Sequence, residues 1–101
     1  MIVYNVTVKV THAIEEKWLH WMKTVHMDEV VATGMFDQAS LFRLHDVMDE
    51  EGITYVAQYS TDSMQRYQRY INDFASVMRE KGFSLFGDQF IAFRSVLEKI
   101  A

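Results

Sequence analysis

The sequence predicts an α+β fold in which two helices cover one face of a four-stranded antiparallel sheet. Four segments alternate apolar and polar residues with the two-residue period of a strand. Two longer segments repeat apolar residues every three to five positions, as helices do. These segments follow the order β-α-β-β-α-β. The 101 residues, 50% of them apolar, suffice for one hydrophobic core but not for two, so we expect residues 1–101 to form a single domain.

The chain begins with a strand and a helix. Residues 2–11 place isoleucine, tyrosine and valine at the even positions, which predicts the first strand. Between Ile14 and Ala32 most apolar residues fall on one side of a helix. Gly34 follows, and glycine often ends a helix because it adopts the left-handed conformation without steric cost.

A hairpin is predicted next. Residues 39–47 alternate again, residues 49–52 form a polar turn that ends in glycine, and residues 54–60 make another β-rich run. Two alternating runs joined by such a turn are typical of antiparallel neighbours. They are the predicted second and third strands.

The last third of the chain predicts a second helix and a fourth strand. Apolar residues from Met64 to Met78 recur at spacings of three and four, after a run of possible N-cap residues at 60–63. Lys81-Gly82 is predicted to end this helix. Residues 89–98 then alternate as a strand.

The order of elements matches the ferredoxin-like split βαβ arrangement, in which both helices lie on one face of the sheet. Alternation divides the strand residues into two sets. The helix-covered face is assigned the more apolar set, namely Ile2, Tyr4, Val6, Val8, Phe42, Leu44, Tyr55, Ala57, Tyr59, Ile91, Phe93 and Leu97. The second face is assigned Val3, Asn5, Thr7, Leu41, Arg43, His45, Val56, Gln58, Phe90, Ala92, Arg94 and Val96.

The second face is too apolar for contact with bare water. A monomer seldom exposes a contiguous apolar patch larger than a few hundred Å². A second copy that packs sheet against sheet would cover it with one symmetric interface. We therefore expect a homodimer whose interface includes Arg43, His45, Gln58 and Phe90.

Charge and composition exclude several partners. With 14 acidic and 10 basic residues the net charge is −4, the wrong sign for binding the phosphates of nucleic acids. No apolar stretch of membrane-spanning length exists and the N-terminal residues lack signal-peptide features, so we expect a cytoplasmic protein without a membrane partner. The absence of cysteine excludes thiol chemistry. Glu16 and His20 lack a third ligand, and no metal site is predicted.

Several short motifs together resemble the dimeric α/β-barrel superfamily, and more closely a family of short bacterial proteins described only as a domain of unknown function. The resemblance spans nearly the whole chain. It rests on residues 2–7, Trp18-Leu19-His20-Trp21-Met22, His26, residues 32–36, Gln58-Tyr59 and residues 86–94. It implies a fold and a dimer but no particular reaction, because the superfamily includes cofactor-free monooxygenases, haem-degrading enzymes and isomerases.

The resemblance gives no reason to expect a cofactor. In the haem-degrading branch an asparagine, a tryptophan and a histidine act together. Asn5, Trp18 or Trp21, and His26 supply these residue types in a different order along the chain. No haem or other cofactor is therefore predicted.

His26 is the candidate catalytic base. It lies one turn after Met22 on the predicted first helix, where it can enter a cleft between helix and sheet. Apolar surroundings would lower its pKa and keep the imidazole neutral, as a base requires. The alternative is a half-buried histidine bonded to a carbonyl or to Glu29.

The remaining candidates form a ligand-binding set and a polar set. The ligand-binding set comprises Asn5, Trp18, Trp21, Met22, Tyr59 and Arg94, whose rings and polar groups suit a small, partly apolar molecule. Arg43, His45, Gln58, Arg94 and Asn5 can instead converge on the second face. There they would either bind an anion or form a polar network that fixes the register of the dimer.

Three functions remain open from the sequence. The first is a homodimer that binds a small, partly apolar molecule between helices and sheet. The second is a cofactor-independent monooxygenase or isomerase that uses His26, with Asn5, Tyr59 or Arg94 orienting the substrate. The third is a purely structural or interaction module. Cavity volume near His26 discriminates among them, because a pocket below a few hundred Å³ is expected to leave no room for a substrate.

Overall fold

A computed structural model describes all residues, Met1–Ala101, and has the predicted order of strands and helical regions. The second and third strands are adjacent in sequence, and each helical region consists of more than one segment. The elements are β1 (Ile2–Val10), α1 (Glu15–Trp21), a π-helical segment (Met22–His26), α2 (Met27–Ala32), β2 (Gln38–Arg43), β3 (Ile53–Thr61), α3 (Met64–Asp73), α4 (Ala75–Phe86) and β4 (Phe90–Glu98).

The four strands form one antiparallel sheet in the order β2-β3-β1-β4. β1 is central and pairs along its whole length with both β3 and β4, so that Tyr4 lies opposite Tyr59 on one side and Val96 on the other. The predicted α+β, ferredoxin-like fold is confirmed.

Aromatic rings fill much of the core between the helices and the sheet. Tyr4 stacks on Phe36 with ring centroids 5.9 Å apart, and Phe36 meets Tyr70 edge to face at 4.9 Å. Tyr59 completes this group, and each of the four residues is at most 4% exposed. Such ring pairs stabilise a core beyond the area that they bury.

The first helical region begins and ends close to the predicted residues, while the second is longer than predicted. Gly34 has the left-handed φ of 80° expected after α2. Ser63 is the N-cap of α3, since its side chain accepts a hydrogen bond of 3.1 Å from the Arg66 N–H. The prediction that Lys81-Gly82 ends the second helical region is wrong. Gly82 is buried within α4, and Gly87 ends that helix with a φ of 58°.

The second strand is shorter than predicted. β2 ends at Arg43, and residues 44–47 belong to the connection to β3. Asp46 takes a positive φ of 60°, which is incompatible with an extended strand. His45 therefore lies in an exposed loop rather than on the sheet.

Pairing reverses the predicted faces of β2 and β4. Arg43 lies opposite Tyr55, and Arg94 lies opposite Val6, which places both arginines on the helix side. The uncovered side, called the open face here, carries from these strands Gln38, Ser40, Phe42, Ile91, Phe93, Ser95 and Leu97 together with Val3, Asn5, Thr7, Lys9, Thr54, Val56, Gln58 and Ser60. The assignment was wrong because both sets of β4 are largely apolar, so composition does not distinguish them.

Candidate functional site

A cavity lies between the helices and the covered face of the sheet. The central strand β1 forms its floor with Tyr4, Val6 and Val8, and residues of β3 and β4 extend that floor. Its walls come from α1, the π-helical segment, α2, α3 and α4. Of 17 lining residues, 13 are hydrophobic, and the cavity volume is about 70 Å³.

Most of the predicted ligand-binding residues meet at this cavity. Trp18, Trp21, Met22, Tyr59 and Arg94 line it together with His26, although they come from four different elements. Asn5 does not line it. Because side chains alternate along β1, Asn5 points to the open face, where its Oδ1 accepts a hydrogen bond of 3.0 Å from Gln58 Nε2.

A π-helical segment determines where His26 points. Met27 N–H donates to the carbonyl of Met22, five residues earlier, instead of four. In a regular α-helix, residues five apart point about 140° away from each other. The wider turn brings them to the same side, so that His26 stacks on Trp21 with ring centroids 4.3 Å apart and an interplanar angle of 22°. Segments of this kind are frequent at functional sites.

The imidazole of His26 is held in its neutral form. Burial lowers its pKa from 6.5 to about 4, because a charged ring would lose its hydration. The charge of Glu29 opposes this shift, while Lys81 and Arg94 add to it. Glu29 forms its ion pair with Lys81 and does not bind His26. His26 Nδ1 is therefore a buried polar atom without a partner in the protein.

Two arginines bring positive charge to this apolar cavity. Arg94 reaches it from β4, and Arg79 reaches it from α4. Arg79 Nη2 donates a hydrogen bond of 3.2 Å to the Tyr4 hydroxyl, whereas the Arg94 guanidinium forms no hydrogen bond or ion pair within the chain. Sequence reasoning missed Arg79 because the predicted helix ended soon after it and nothing in the local pattern indicated a cavity.

The open face is the second candidate functional surface. Phe42, Val56, Thr7 and Phe93 form one row across its four strands, and Ser40, Gln58, Asn5 and Ser95 form the next. Phe42 is 52% exposed and Phe93 is 65% exposed. Among the residues assigned to the dimer face, only Gln58 lies here. Arg43 and Phe90 point to the helix side, and His45 is in a loop.

Other kinds of site have little support in the arrangement of side chains. No group of three or more histidine, aspartate or glutamate residues is placed to hold a metal ion. None of the helices combines the length and the apolar character needed to cross a membrane.

Comparison with known proteins identifies a family and a fold. Residues 1–100 match the family described as Domain of unknown function (DUF4286). No curated protein matches the sequence.

Several solved structures share the fold. A dimeric ferredoxin-like protein from an uncultured marine organism is 12% identical, with a TM-score of 0.74 over 99% of this chain and 95% of that one. SnoaB, a cofactor-independent oxygenase from Streptomyces nogalater, is 9% identical, with a TM-score of 0.64 over 99% and 94%. A monooxygenase from Streptomyces coelicolor, solved with nanaomycin D, is 16% identical, with a TM-score of 0.59 over 99% and 89%. At these identities the likeness extends to the fold alone.

Proposed function

The chain belongs to the DUF4286 family of unknown function, and we propose that it is a homodimeric protein that binds a small, partly apolar molecule in the cavity between its helices and its sheet. The observation that carries this proposal is the cavity itself. It combines an apolar lining with a few convergent polar groups, which is the usual composition of a small-molecule site. We further propose that the chain acts as one domain in the cytoplasm of a bacterium.

The volume of the cavity limits the size of the ligand. At about 70 Å³ it is below the few hundred Å³ that a drug-sized ligand requires, so haem and polycyclic substrates do not fit. A single water molecule needs only about 10–15 Å³ measured with a water-sized probe. The expectation that so small a pocket leaves no room for any substrate was too strict, because a compact molecule of a few heavy atoms still fits.

The open face supports the homodimer in this proposal. Besides Phe42 and Phe93, Ile91 is 54% exposed and Leu97 is 46% exposed on the same side of the sheet. A contiguous apolar surface of this kind usually packs against a partner. The dimeric ferredoxin-like protein from the marine organism is a precedent for a dimer with this fold.

A cavity-filling variant tests ligand binding. Ala92 is half-buried at the cavity, so A92M should occupy the space without adding charge. The matched control is A32M, which makes the same change at an exposed residue of α2. With isobutyramide and isobutyrate as probes and calorimetry as the measurement, we expect A92M to weaken binding at least about tenfold and A32M to leave it unchanged. If neither probe binds the unmodified protein, the structural module is the better interpretation.

Catalysis by His26 is the second candidate function. A neutral imidazole beside a cavity can accept a proton, and SnoaB is an oxygenase that needs no cofactor. A pKa of about 4 makes the imidazole a weak base at pH 7, however, since a general base works best when its pKa is near the operating pH. We therefore favour binding. Turnover that His26→Gln abolishes, with ligand affinity retained, would favour the enzyme.

A further inference from the structure

We propose that the ligand of this cavity is a compact monocarboxylate, whose carboxylate is held by Arg79 and Arg94 while its apolar body enters between Trp21 and the sheet. This inference rests on the proposed function and specifies the chemical class of the ligand.

Two arginines of this chain lack a carboxylate partner. The chain has five arginines. Arg43, Arg66 and Arg69 each pair with an aspartate, at 3.2, 3.0 and 3.5 Å respectively. Arg79 and Arg94 have no carboxylate partner, and these two are the arginines that line the cavity. In a protein with a net charge of −4, two unneutralised cations at one site indicate attraction for an external anion.

The side chains of Arg79 and Arg94 both reach the cavity from its rim. They extend from α4 and β4, on two sides of the cavity, and both are exposed at its rim. Burial raises the pKa of the Tyr70 phenol, and the charges of Arg79 and Arg94 both lower it. The two charges therefore act on the same region of the cavity. Arg79 uses one of its five N–H donors on Tyr4, which leaves donors free on each guanidinium for a planar carboxylate.

The apolar part of the cavity lining indicates the chemical character of the ligand beyond its carboxylate. Below the arginines the surface is mostly apolar, with Trp21, Phe90 and Ala92 among its members, which suits a hydrocarbon body and not a second charged group. The neutral His26 ring adds an unpartnered Nδ1 atom, which in the Nδ1–H tautomer donates to a carboxylate oxygen without adding a third cation.

Matched pairs of acid and amide test the charge requirement. Acetate and isobutyrate are titrated against acetamide and isobutyramide at pH 7 and low salt, because each pair differs in charge while its shape is almost the same. We expect each acid to bind about tenfold or more tightly than its amide, since charge-assisted hydrogen bonds are about twice as strong as neutral ones. Added salt should weaken binding of the acids more than that of the amides.

Arginine variants locate the charge. R79Q and R94Q should each reduce isobutyrate affinity about tenfold and change isobutyramide affinity less than about twofold. The control is R69Q on α3, because Arg69 pairs with Asp73 and does not line the cavity. It should change neither affinity.

The outcomes separate this inference from the proposed function. If the amides bound as tightly as the acids, or more tightly, the inference that the ligand is a carboxylate would be overturned. The cavity would then remain a binding site for neutral molecules. Failure of all four probes to bind would overturn both proposals. The comparison of acid with amide needs only the unmodified protein, so it remains decisive if an arginine variant does not fold.

Discussion

At the scale of single residues, His26 combines features that seldom occur in a residue with a purely structural role. Its ring stacks on Trp21, its Nδ1 atom is buried without a partner, and its pKa is about 4. Buried polar atoms are nearly always hydrogen-bonded, so an unpartnered one beside a cavity indicates a place where a water molecule or a ligand group completes the bonding.

The low pKa of His26 predicts how stability changes with pH. The unfolded chain binds a proton at this histidine near pH 6.5, whereas the folded protein resists protonation until about pH 4. Protonation therefore favours the unfolded state, and the free energy of unfolding should fall as pH decreases from about 6.5 to about 4, by up to about 3 kcal/mol from this group.

In the variant His26→Gln, the free energy of unfolding should fall less between pH 6.5 and pH 4, because the contribution of this histidine is absent. Urea denaturation at half-unit pH intervals, with protein concentration held constant, measures both proteins. Carboxylates contribute equally to each curve, so the difference between them isolates His26. Parallel curves between pH 6.5 and 4 would mean that the folded protein does not bury a neutral imidazole.

At the scale of elements, the two glycines of the last helical region have opposite roles. Gly82 lies inside α4, and a Cβ atom there would meet Trp21 Cη2 at 3.4 Å, an ordinary van der Waals distance. Gly87 follows α4 with a φ of 58° and a ψ of −130°, a conformation that L-residues with side chains seldom adopt.

These roles predict substitutions of opposite sign. Gly82→Ala should raise the free energy of unfolding by about 0.5–1 kcal/mol, because alanine is favoured over glycine within a helix. Gly87→Ala should lower it by about 1–3 kcal/mol, because the new side chain strains the backbone. Urea denaturation compares the two proteins with the parent. Destabilisation by Gly82→Ala equal to that of Gly87→Ala would show that α4 ends at Gly82 after all.

At the scale of the whole molecule, the open face predicts the oligomeric state. Phe93 lies near the middle of β4 on this face, where a partner sheet would bury it. F93E should give a monomer at micromolar concentration, because a buried carboxylate without a partner is costly. V77E is the control, since Val77 is 59% exposed but belongs to α4. Light scattering measures the mass of each. Equal masses for both variants would remove the support for a sheet-to-sheet dimer.

The bounds of β1, β3 and the first helical region could be predicted closely, but contacts between elements could not. Period-two alternation located β1 and β3 within a residue, and both were assigned to the correct faces. The faces of β4 were reversed because Ile91 and Phe93 are as apolar as Phe90 and Ala92. Only the register with β1, in which Arg94 lies opposite Val6, settles which set the helices cover.

The candidate site was partly predictable for a related reason. Trp18, Trp21 and His26 were identified because they are unusual residue types on one helix. Arg79 was missed, and Asn5 was included although it lies on the other side of the sheet. Residue type indicates what a side chain can do, whereas the cavity gathers side chains that are up to 90 positions apart, from Tyr4 to Arg94.

The sequence alone determined the order of the elements, the ferredoxin-like fold and an acidic chain without cysteine, because period, glycine placement and composition are local properties. The tertiary structure decided which face of each edge strand is covered, that a π-helical turn stacks His26 on Trp21, and that two arginines without carboxylate partners share one cavity. These features depend on strand register and on packing between distant elements. Neither is encoded in any single stretch of the chain.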